Sequence, residues 1–201
     1  MGDPKFSRQK YERPHHPWEG ERIKAENELL KKYGLKNKKE LWRAQSVLRR
    51  FRQRARQLQA MVRYGDKQAG KEKDELIARL GRLGLLPTEG ASLDDVLALD
   101  VEAVLSRRLQ TLAFVKGLAF TPHQARQFIV HGHVAIGSRR VTVPGYLVTR
   151  TEEGGIIYDP RSAISHDMHP ARPGAPPPEP VAEGAADAAP PGPPGPGGEA
   201  P

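Results

Sequence analysis

The chain has 201 residues and a formal net charge of +8, and this length predicts one or two small domains. Hydrophobic residues make up 37% of it, below the share of about 45–50% that is usual in globular proteins. We therefore expect part of the chain to lie outside any core. It contains no cysteine, which excludes disulfides and thiolate metal sites. The N-terminus is too polar for a signal peptide and no apolar run approaches the ~18 residues of a membrane helix, so the composition predicts a soluble cytoplasmic protein.

The N-terminal segment is predicted to be an extended arm. Residues 1–20 mix basic groups with three prolines, which interrupt helical hydrogen bonding. Tyr11 and Trp18 lie in the same stretch. An arm of this kind offers cations and stacking rings together, a combination that suits contact with RNA.

Two helices are predicted after the arm. Helical sequence runs from about Glu19 to Tyr33, and Gly34 is a suitable residue to end it. The next helix is indicated by apolar residues at spacings of three and four, the mark of one buried face. These residues are Leu41, Ala44, Leu48, Phe51, Ala55, Leu58 and Val62.

The second of these helices is rich in arginine and has no acidic residue between Leu41 and Gly65. A solvated helix normally interleaves glutamate with arginine as i,i+4 pairs. The missing acids favour contact with nucleic-acid phosphates, which suit the planar guanidinium fork, over a merely solvated basic face. The arginines concerned are Arg43, Arg49, Arg50, Arg52, Arg54, Arg56 and Arg63.

The middle of the chain predicts three further helices. The first covers residues 72–84 and has an apolar face at helical spacing. Ser92 and Asp95 have the spacing of a capping box at the start of a short helix. Asp100 is placed to cap a longer helix that continues as one element to Lys116.

A short helix with well-defined ends is predicted to begin at Thr121. Thr121 is a suitable N-cap, Pro122 fits the first helical position, and Gln124 stands at the reciprocal capping-box position. Arg126 is expected to point outward, and Gly132 to end the helix. The residues expected to face inward are Ala125, Phe128 and Ile129.

Short strands are predicted after this helix. Val134 and Ile136 alternate with small residues, as on a half-buried strand, and Gly137-Ser138 fits a two-residue hairpin turn. The segments that read as strands after the turn are 139–143, 146–149 and 156–158.

The C-terminal part of the sequence lacks the means to form a core. Residues 170–201 hold 12 of the 19 prolines and almost no large apolar side chain. Such a segment buries too little surface to offset its ordering entropy. The chain from about residue 166 onward is therefore predicted to be disordered.

Three histidines, His123, His131 and His133, lie on or beside the predicted short helix. The first two would be about 12 Å apart along a helix, so they do not share a metal ion, and no third ligand lies near the other pair. Residues 106–150 contain no Asp or Glu to orient a histidine for acid/base catalysis. Two interpretations stay open for His131 and His133, which are capping of the last helix carbonyls and contact with a polyanion.

Charge is segregated along the chain. Residues 1–75 hold 21 Lys and Arg against 11 Asp and Glu, residues 76–105 hold 2 against 5, residues 106–150 hold 7 against 0, and residues 151–201 hold 2 against 8. A polyanionic partner explains this pattern, because each neutralised phosphate releases counterions; a charged surface of the thermophilic kind is the alternative. The N–H groups at the start of the short helix form an anion site, with four arginines placed to surround it: Arg108, Arg126, Arg139 and Arg140.

A family resemblance now adds to this interpretation. The stretch "SRRLQTLAFVKGLAFTPHQARQFIVHGHVAIGSRRVTVPGYLV", residues 106–148, strongly resembles the RNA-binding domain named after small-subunit ribosomal protein S-four. The stretches "ERPHHPWEGERI" and "LWRAQSVLRRFRQRAR" resemble the arm and basic helix of that family's archaeal form. The resemblance covers roughly residues 1–165 and implies an α+β fold with a basic arm and helical region (1–105) and a helix-turn-helix and β-hairpin RNA-binding domain (106–165). The tail (166–201), predicted to be disordered from its composition, has no counterpart in the family.

The resemblance also implies a function. It implies a structural constituent of the 30S ribosomal subunit that binds 16S ribosomal RNA early, nucleates assembly of the subunit body and contributes to translational accuracy. The neighbouring proteins that it implies are of the S-five and S-twelve types. It implies no enzymatic activity, no membrane partner, no small-molecule substrate and no cofactor. Some relatives have a zinc-binding cysteine cluster, and because this chain has no cysteine, no metal is implied.

Carried onto this sequence, the resemblance places RNA contacts on two helices, on the turn after the second helix, and on the hairpin. It puts Arg107, Arg108, Gln110 and Thr111 on the first of these helices. Phe120 departs from the family pattern, which has a small or polar residue there. With the arginines of the basic helix, the candidate RNA-binding residues are Arg49, Arg50, Arg52, Arg54, Arg56, Arg107, Arg108, Gln110, Thr111, Lys116, Thr121, Gln124, Arg126, Gln127, His131, His133, Arg139 and Arg140.

Two other classes of function stay open at this point. The same domain is appended to RNA-modifying enzymes and to a synthetase, but those need a catalytic domain for which this sequence has neither room nor an acidic constellation. The other class is a free-standing RNA-binding chaperone or stress factor, which would leave the ribosome at moderate salt.

Overall fold

A computed structural model of the chain describes residues 9–87, 90–166 and 169–173. The first residues of the predicted arm, and the predicted tail from residue 174 onward, lie outside the described residues. The helices are α1 (Gly20–Tyr33), α2 (Lys38–Arg63), α3 (Lys67–Arg82), α4 (Leu93–Ala98), α5 (Val101–Ser106), α6 (Leu109–Val115), α7 (Pro122–Val130) and α8 (Arg150–Glu153). The strands are β1 (Val134–Ile136), β2 (Arg139–Arg140) and β3 (Ile156–Tyr158), followed by a 3-10 turn at Ala163–Ser165.

The first two helices form where the sequence predicts them. Gly34 ends α1 in the left-handed conformation, with φ 59°. Asn37 caps α2 by accepting a hydrogen bond from the N–H of Glu40 at 3.3 Å. Five of the seven predicted inward residues of α2 are buried and Phe51 is half-buried. The prediction for Val62 is wrong, because it lies in a run of exposed residues, 60–68, that no other element covers.

The third helix is longer than its apolar pattern indicates. It begins at Lys67, five residues before the predicted start at residue 72, because Asp66 caps it by accepting a hydrogen bond from the N–H of Gln68 at 2.9 Å. The predicted capping box of α4 is confirmed. The hydroxyl of Ser92 accepts from the N–H of Asp95 at 3.3 Å, and the Asp95 carboxylate accepts from the N–H of Ser92 at 2.8 Å.

The single helix predicted from Asp100 to Lys116 is wrong, because α5 and α6 are separate helices. The break is made by backbone hydrogen bonds to a later segment. The Val148 N–H donates to the Arg107 carbonyl at 3.0 Å, and the Leu109 N–H donates to the Tyr146 carbonyl at 2.8 Å. Arg107 and Arg108 therefore lie in the break between two helices. The strand predicted over residues 146–149 is likewise reduced to one bridge, between Arg108 and Leu147.

Helix α7 and the hairpin follow the predicted pattern closely. The Thr121 hydroxyl caps α7 by accepting from the N–H of Gln124 at 3.1 Å. The Gln124 side chain reaches back one residue further than a capping box, to the N–H of Phe120 at 2.7 Å. Gly132, with φ 77°, ends the helical turn. The inward positions Ala125, Phe128 and Ile129 are buried as predicted.

The three strands form an antiparallel sheet in the order β2-β1-β3. Ile136 pairs with Arg139 across the predicted two-residue turn. The return strand is shorter than the predicted segment 139–143 and stops at Arg140. Beyond it the chain turns at Val143, whose carbonyl accepts from the N–H of Tyr146 at 3.2 Å. Helices together with this small sheet confirm the predicted α+β class.

Within the described residues, the buried side chains form three apolar clusters. One joins α6, α7 and the sheet, and includes Leu109, Ile129 and Val134. A second joins α1, the start of α2 and α5, and the third joins the rest of α2 to α3 and α4. Leu147 packs against the second cluster, so the loop before α8 touches the helical region. In the part of the chain that the structure describes, no helix is long and apolar enough to cross a membrane.

The first described residues of the predicted tail pack against the small domain. The Arg172 guanidinium lies 4.8 Å from the centre of the Tyr158 ring. The Gln124 side chain donates to the Ala171 carbonyl at 2.9 Å. The predicted disorder is therefore not seen at residues 169–173.

Candidate nucleic-acid interface

A groove lined by arginines runs between α2 and α3. It encloses about 880 Å³ and is also bordered by Leu147 and Thr149 of the loop before α8. Apolar side chains, among them Phe51 and Leu76, line the same groove. The four arginines that line it are Arg50, Arg54, Arg79 and Arg82.

Most of this cationic charge has no internal counter-charge. Arg54 pairs with Glu72 of α3. Arg50 donates to the Ser46 carbonyl of its own helix at 3.3 Å. Among the described residues, no carboxylate forms an ion pair with Arg50, Arg79 or Arg82. Guanidinium forks displayed in this way fit the oxygens of phosphate groups.

Arg79 and Arg82 are not among the residues that the sequence singled out. They fall in the block 76–105, whose net charge is negative, so charge counting along the chain hides them. Their spacing of three places both on one face of α3. Only the packing of α3 against α2 brings that face beside the arginines of α2.

The other arginines of the basic helix have varied surroundings. Arg49 is exposed and pairs with Glu12 of the arm. Arg52 is half-buried and donates to the Leu99 carbonyl, which ties α2 to the loop after α4. Arg56 is exposed, and its Nε donates to the Arg52 carbonyl at 3.4 Å.

A half-buried carboxylate joins α2 to the small domain. Glu40, in the first turn of α2, accepts from Arg126 at 2.6 and 3.1 Å and from Arg108 at 2.7 Å. Burial alone would raise the pKa of Glu40, but hydrogen bonds and charge from the two arginines outweigh it and hold the pKa below its ordinary value. A cavity of about 380 Å³ adjoins the three side chains.

Arg126 therefore does not point outward as the sequence predicted. Its partner Glu40 lies one residue before the acid-free stretch that begins at Leu41 and 86 positions from Arg126 along the chain. The absence of acid within residues 106–150 says nothing about acids that the fold brings in from elsewhere. The Arg126 side chain is 20% exposed, so one edge of it remains open to a partner.

Three more candidate residues make internal contacts. Gln110 is 1% exposed, and its amide nitrogen donates to carbonyls of α1, of Gly34 and of α7 at 2.8 to 3.1 Å. The Thr111 hydroxyl donates to the Leu105 carbonyl at 2.8 Å. Arg107 pairs with Glu153 at 2.8 Å. These side chains hold α6 against its neighbours.

The exposed candidates lie on α7, on the α6–α7 turn and on the hairpin. Arg139 stands 3.7 Å from Glu152 and lies over the Tyr146 ring. Arg140 pairs with Asp159 at 2.8 Å while half of its side chain stays exposed. The remaining exposed candidates are Lys116, Thr121, Gln127 and His131.

The two histidines after α7 do not cap its carbonyls with their rings. Backbone N–H groups do this instead, since the N–H of His131 donates to Gln127 and that of His133 donates to Phe128. The His133 ring contacts the Ser162 hydroxyl at 2.7 Å and faces the ring of His131 at 6.1 Å. Burial, followed by the nearby charges of His131 and Arg140, lowers the pKa of His133.

A metal site is not formed by the described side chains. Across residues 9–87, 90–166 and 169–173, no three His, Asp or Glu side chains come together in a way that could hold a metal ion. The exposed groups in the groove, on α7 and on the hairpin are cations and hydrogen-bond donors, together with the His131 ring. Groups of these kinds bind a polyanion.

The chain is similar to known proteins over most of its length. The family described as the S4 domain matches residues 107–153. The chain is 54% identical over 170 residues to the small ribosomal subunit protein uS4 of Picrophilus torridus, covering 85% of this chain and 92% of that protein. It is 52% identical to the protein of the same name from Thermoplasma acidophilum, with 85% of each chain covered. The uS4 protein of Methanothermobacter thermautotrophicus is 49% identical over 171 residues, 85% of this chain and 98% of that protein.

Proposed function

The chain belongs to the archaeal uS4 family of small ribosomal subunit proteins, and from this premise we propose that it binds 16S ribosomal RNA through the arginine groove and the exposed face of its S4 domain. As a family member it is a structural constituent of the small ribosomal subunit, and ribosomal RNA is its partner. The proposal concerns which RNA it binds and which residues make the contacts.

The observation that carries the proposal is the arginine groove. Four guanidinium groups line one concave surface, and Arg50, Arg79 and Arg82 have no ion pair with a carboxylate of the described chain. Repulsion between like charges makes such a cluster unfavourable in a free protein. A phosphate backbone in the groove would relieve that repulsion and release counterions.

The candidate residues divide into two roles. Exposed cations and donors contact RNA directly, whereas half-buried and buried ones hold the contacting elements in place. The direct contacts are Arg49, Arg50, Arg54, Arg56, Arg79, Arg82, Lys116, Thr121, Gln127, His131, Arg139 and Arg140. The positioning residues are Arg52, Arg107, Arg108, Gln110, Thr111, Gln124, Arg126 and His133.

The finer roles are also part of the proposal. The protein binds 16S RNA early in assembly, nucleates the body of the 30S subunit and contributes to translational accuracy beside proteins of the S-five and S-twelve types. It acts in the cytoplasm, within the ribosome, and has no enzymatic role. The family resemblance supports these points. No feature of the described residues favours a free-standing RNA chaperone.

The groove is tested by a pair of substitutions in the full chain. The double variant Arg79→Gln with Arg82→Gln removes two cations from the groove, and Lys24→Gln with Lys31→Gln removes two exposed cations from α1. Binding to an archaeal 16S transcript is measured by filter retention over a range of salt concentrations. Each phosphate contact that is lost should lower the log–log salt slope by about 0.7 on a single strand, so the groove variant should lose about 1.4.

The α1 variant is the matched control, because it changes net charge by the same amount away from the groove. It should keep the wild-type slope and nearly the wild-type affinity. Equal slope changes in both variants would mean that RNA binding depends only on the net charge of the protein. That result would exclude the groove from the RNA interface.

A further inference from the structure

Trp18 is an aromatic side chain displayed to solvent at the end of the arm. It is 91% exposed, although tryptophan is usually among the most buried residues by area. It directly precedes Glu19, the N-cap residue of α1. At this position the indole ring buries almost none of its surface against the described chain.

The loop that carries Trp18 is held firmly although the indole is free. Arg22 of α1 donates to the carbonyls of His16 and Pro17 at 2.8 and 3.0 Å. The same guanidinium pairs with Glu26 at 2.8 Å, and Glu26 is 4% exposed. The backbone beneath Trp18 is therefore fixed to a buried carboxylate.

That carboxylate is itself secured from α2. Trp42 donates its indole N–H to Glu26 at 3.0 Å, and Lys38 stands 3.2 Å from it. Burial would raise the pKa of Glu26, but hydrogen bonds from Trp42, Arg22 and Lys38 hold it below its ordinary value. Glu26 is therefore charged at neutral pH and forms an ion pair with Arg22. Contacts within the chain itself thus fix the backbone of residues 16 and 17.

Tyr11, another aromatic residue of the arm, has a different role. It is half-buried, lies 6.1 Å from the Trp42 ring and has the Arg43 guanidinium 6.0 Å above it. It packs the arm onto α2, whereas the Trp18 ring is exposed.

The surroundings of Trp18 decide between a nucleobase and a protein as its partner. A protein docking site needs contiguous apolar surface, but the flanking residues are His15, His16, Pro17, Glu19 and Gly20. Both acids of the described arm are held in ion pairs, Glu12 with Arg49 and Glu19 with Arg22. A single exposed ring that follows two histidines, on an arm that lies against the arginine-rich helix α2, suits base stacking near phosphates.

We propose that Trp18 is a preorganised stacking platform for an unpaired base of ribosomal RNA. This inference rests on the proposed function, since it requires that RNA lies against the arm. The fixed loop reduces the ordering cost of binding. Stacking accepts any of the four bases, because every base has a π-face, so Trp18 adds affinity without reading sequence.

The test compares Trp18→Phe with Trp18→Leu in the full chain. Phenylalanine keeps a ring for stacking, while leucine keeps apolar bulk without a π-face. We expect Trp18→Leu to bind an archaeal 16S transcript roughly tenfold more weakly and Trp18→Phe to stay near wild type. Both variants should keep the wild-type salt slope, because no ionic contact is lost, and both should keep the wild-type melting temperature.

Emission from the indole gives a second reading. Binding of the transcript should quench the part of the fluorescence that Trp18→Phe lacks, leaving the emission of Trp42. Wild-type affinity in Trp18→Leu, or equal losses in both variants, would overturn the inference. If the wild-type chain itself prefers 16S RNA no more than an unrelated RNA, the proposed function fails instead, so the two failures are distinguishable.

Discussion

At the scale of single residues, Glu40 determines how the helical region meets the S4 domain. Its carboxylate is shared by Arg108 and Arg126, whose side chains are 8% and 20% exposed. Placing two cations at reduced solvation is costly unless each has a partner. The Glu40 carboxylate, at the start of α2, is the ion-pair partner of both arginines. It therefore joins residues that are far apart in the chain.

We predict that Glu40→Gln destabilises the protein by about 3 kcal/mol, the lower end of the cost of breaking a buried pair, since the site retains some solvent access. The measurement is urea unfolding at neutral pH. Glu12→Gln is the control, because it breaks the exposed pair with Arg49 and should cost less than about 1 kcal/mol. Equal losses in both variants would contradict the role of Glu40.

The same variant has a predicted signature in acid. The pKa of Glu40 is lower in the folded protein than its ordinary value of 4.5, so its contribution to stability is complete above pH 4.5 and declines as the pH falls through the folded pKa. Glu40→Gln lacks this titration. Its stability should therefore fall less steeply than that of the wild type below that pH.

At the scale of elements, local signals account for the helix ends and the hairpin turn. Ser92 and Thr121 cap their helices through contacts within three residues, and the sequence predicts both. Asn37 caps α2 through the same kind of local contact, although it is not among the predicted caps. The break between α5 and α6 is different. It depends on the hydrogen bonds from the Val148 N–H to the Arg107 carbonyl and from the Leu109 N–H to the Tyr146 carbonyl. The sequence of residues 100–116 contains no signal that predicts these bonds.

We predict that Gly34→Ala is more damaging than Gly65→Ala, although both glycines have positive φ after a helix. An added Cβ at Gly34 would lie 2.7 Å from the Cβ of Pro122, whereas at Gly65 nothing lies within 4 Å. Left-handed strain costs both variants about 1–2 kcal/mol, and overpacking adds about 1–3 kcal/mol at Gly34. Urea unfolding of both variants measures the difference, and equal losses would show that the contact with α7 is unimportant.

At the scale of the whole molecule, the sequence predicts the partner better than it predicts the site. The arginines of α2 are visible as a charge pattern, and two of them, Arg50 and Arg54, line the groove. The sequence does not show that Arg79 and Arg82 join them, because helix packing brings the two faces together. Nor does it show that Arg126 is held by Glu40, because an ion pair between positions so far apart exists only in the folded chain.

The same scale explains why an S4 domain comes with a helical region in this protein. Gln110 ties α6 to α1, Glu40 ties α2 to α7, and Leu147 packs against the helical core. Leu147 and Thr149 of the S4 domain border the arginine groove. RNA bound in the groove would therefore lie beside the S4 domain.

The most direct test of this account is the affinity of the purified full chain for naked 16S ribosomal RNA. The Kd for an archaeal 16S transcript is compared with that for an unrelated transcript of equal length, at the same physiological salt concentration and without other ribosomal proteins. We predict binding to 16S RNA that is on the order of a thousandfold tighter, as for specific over non-specific nucleic-acid binding. Equal affinity for the two transcripts would contradict the claim that this chain is a primary binder of 16S RNA.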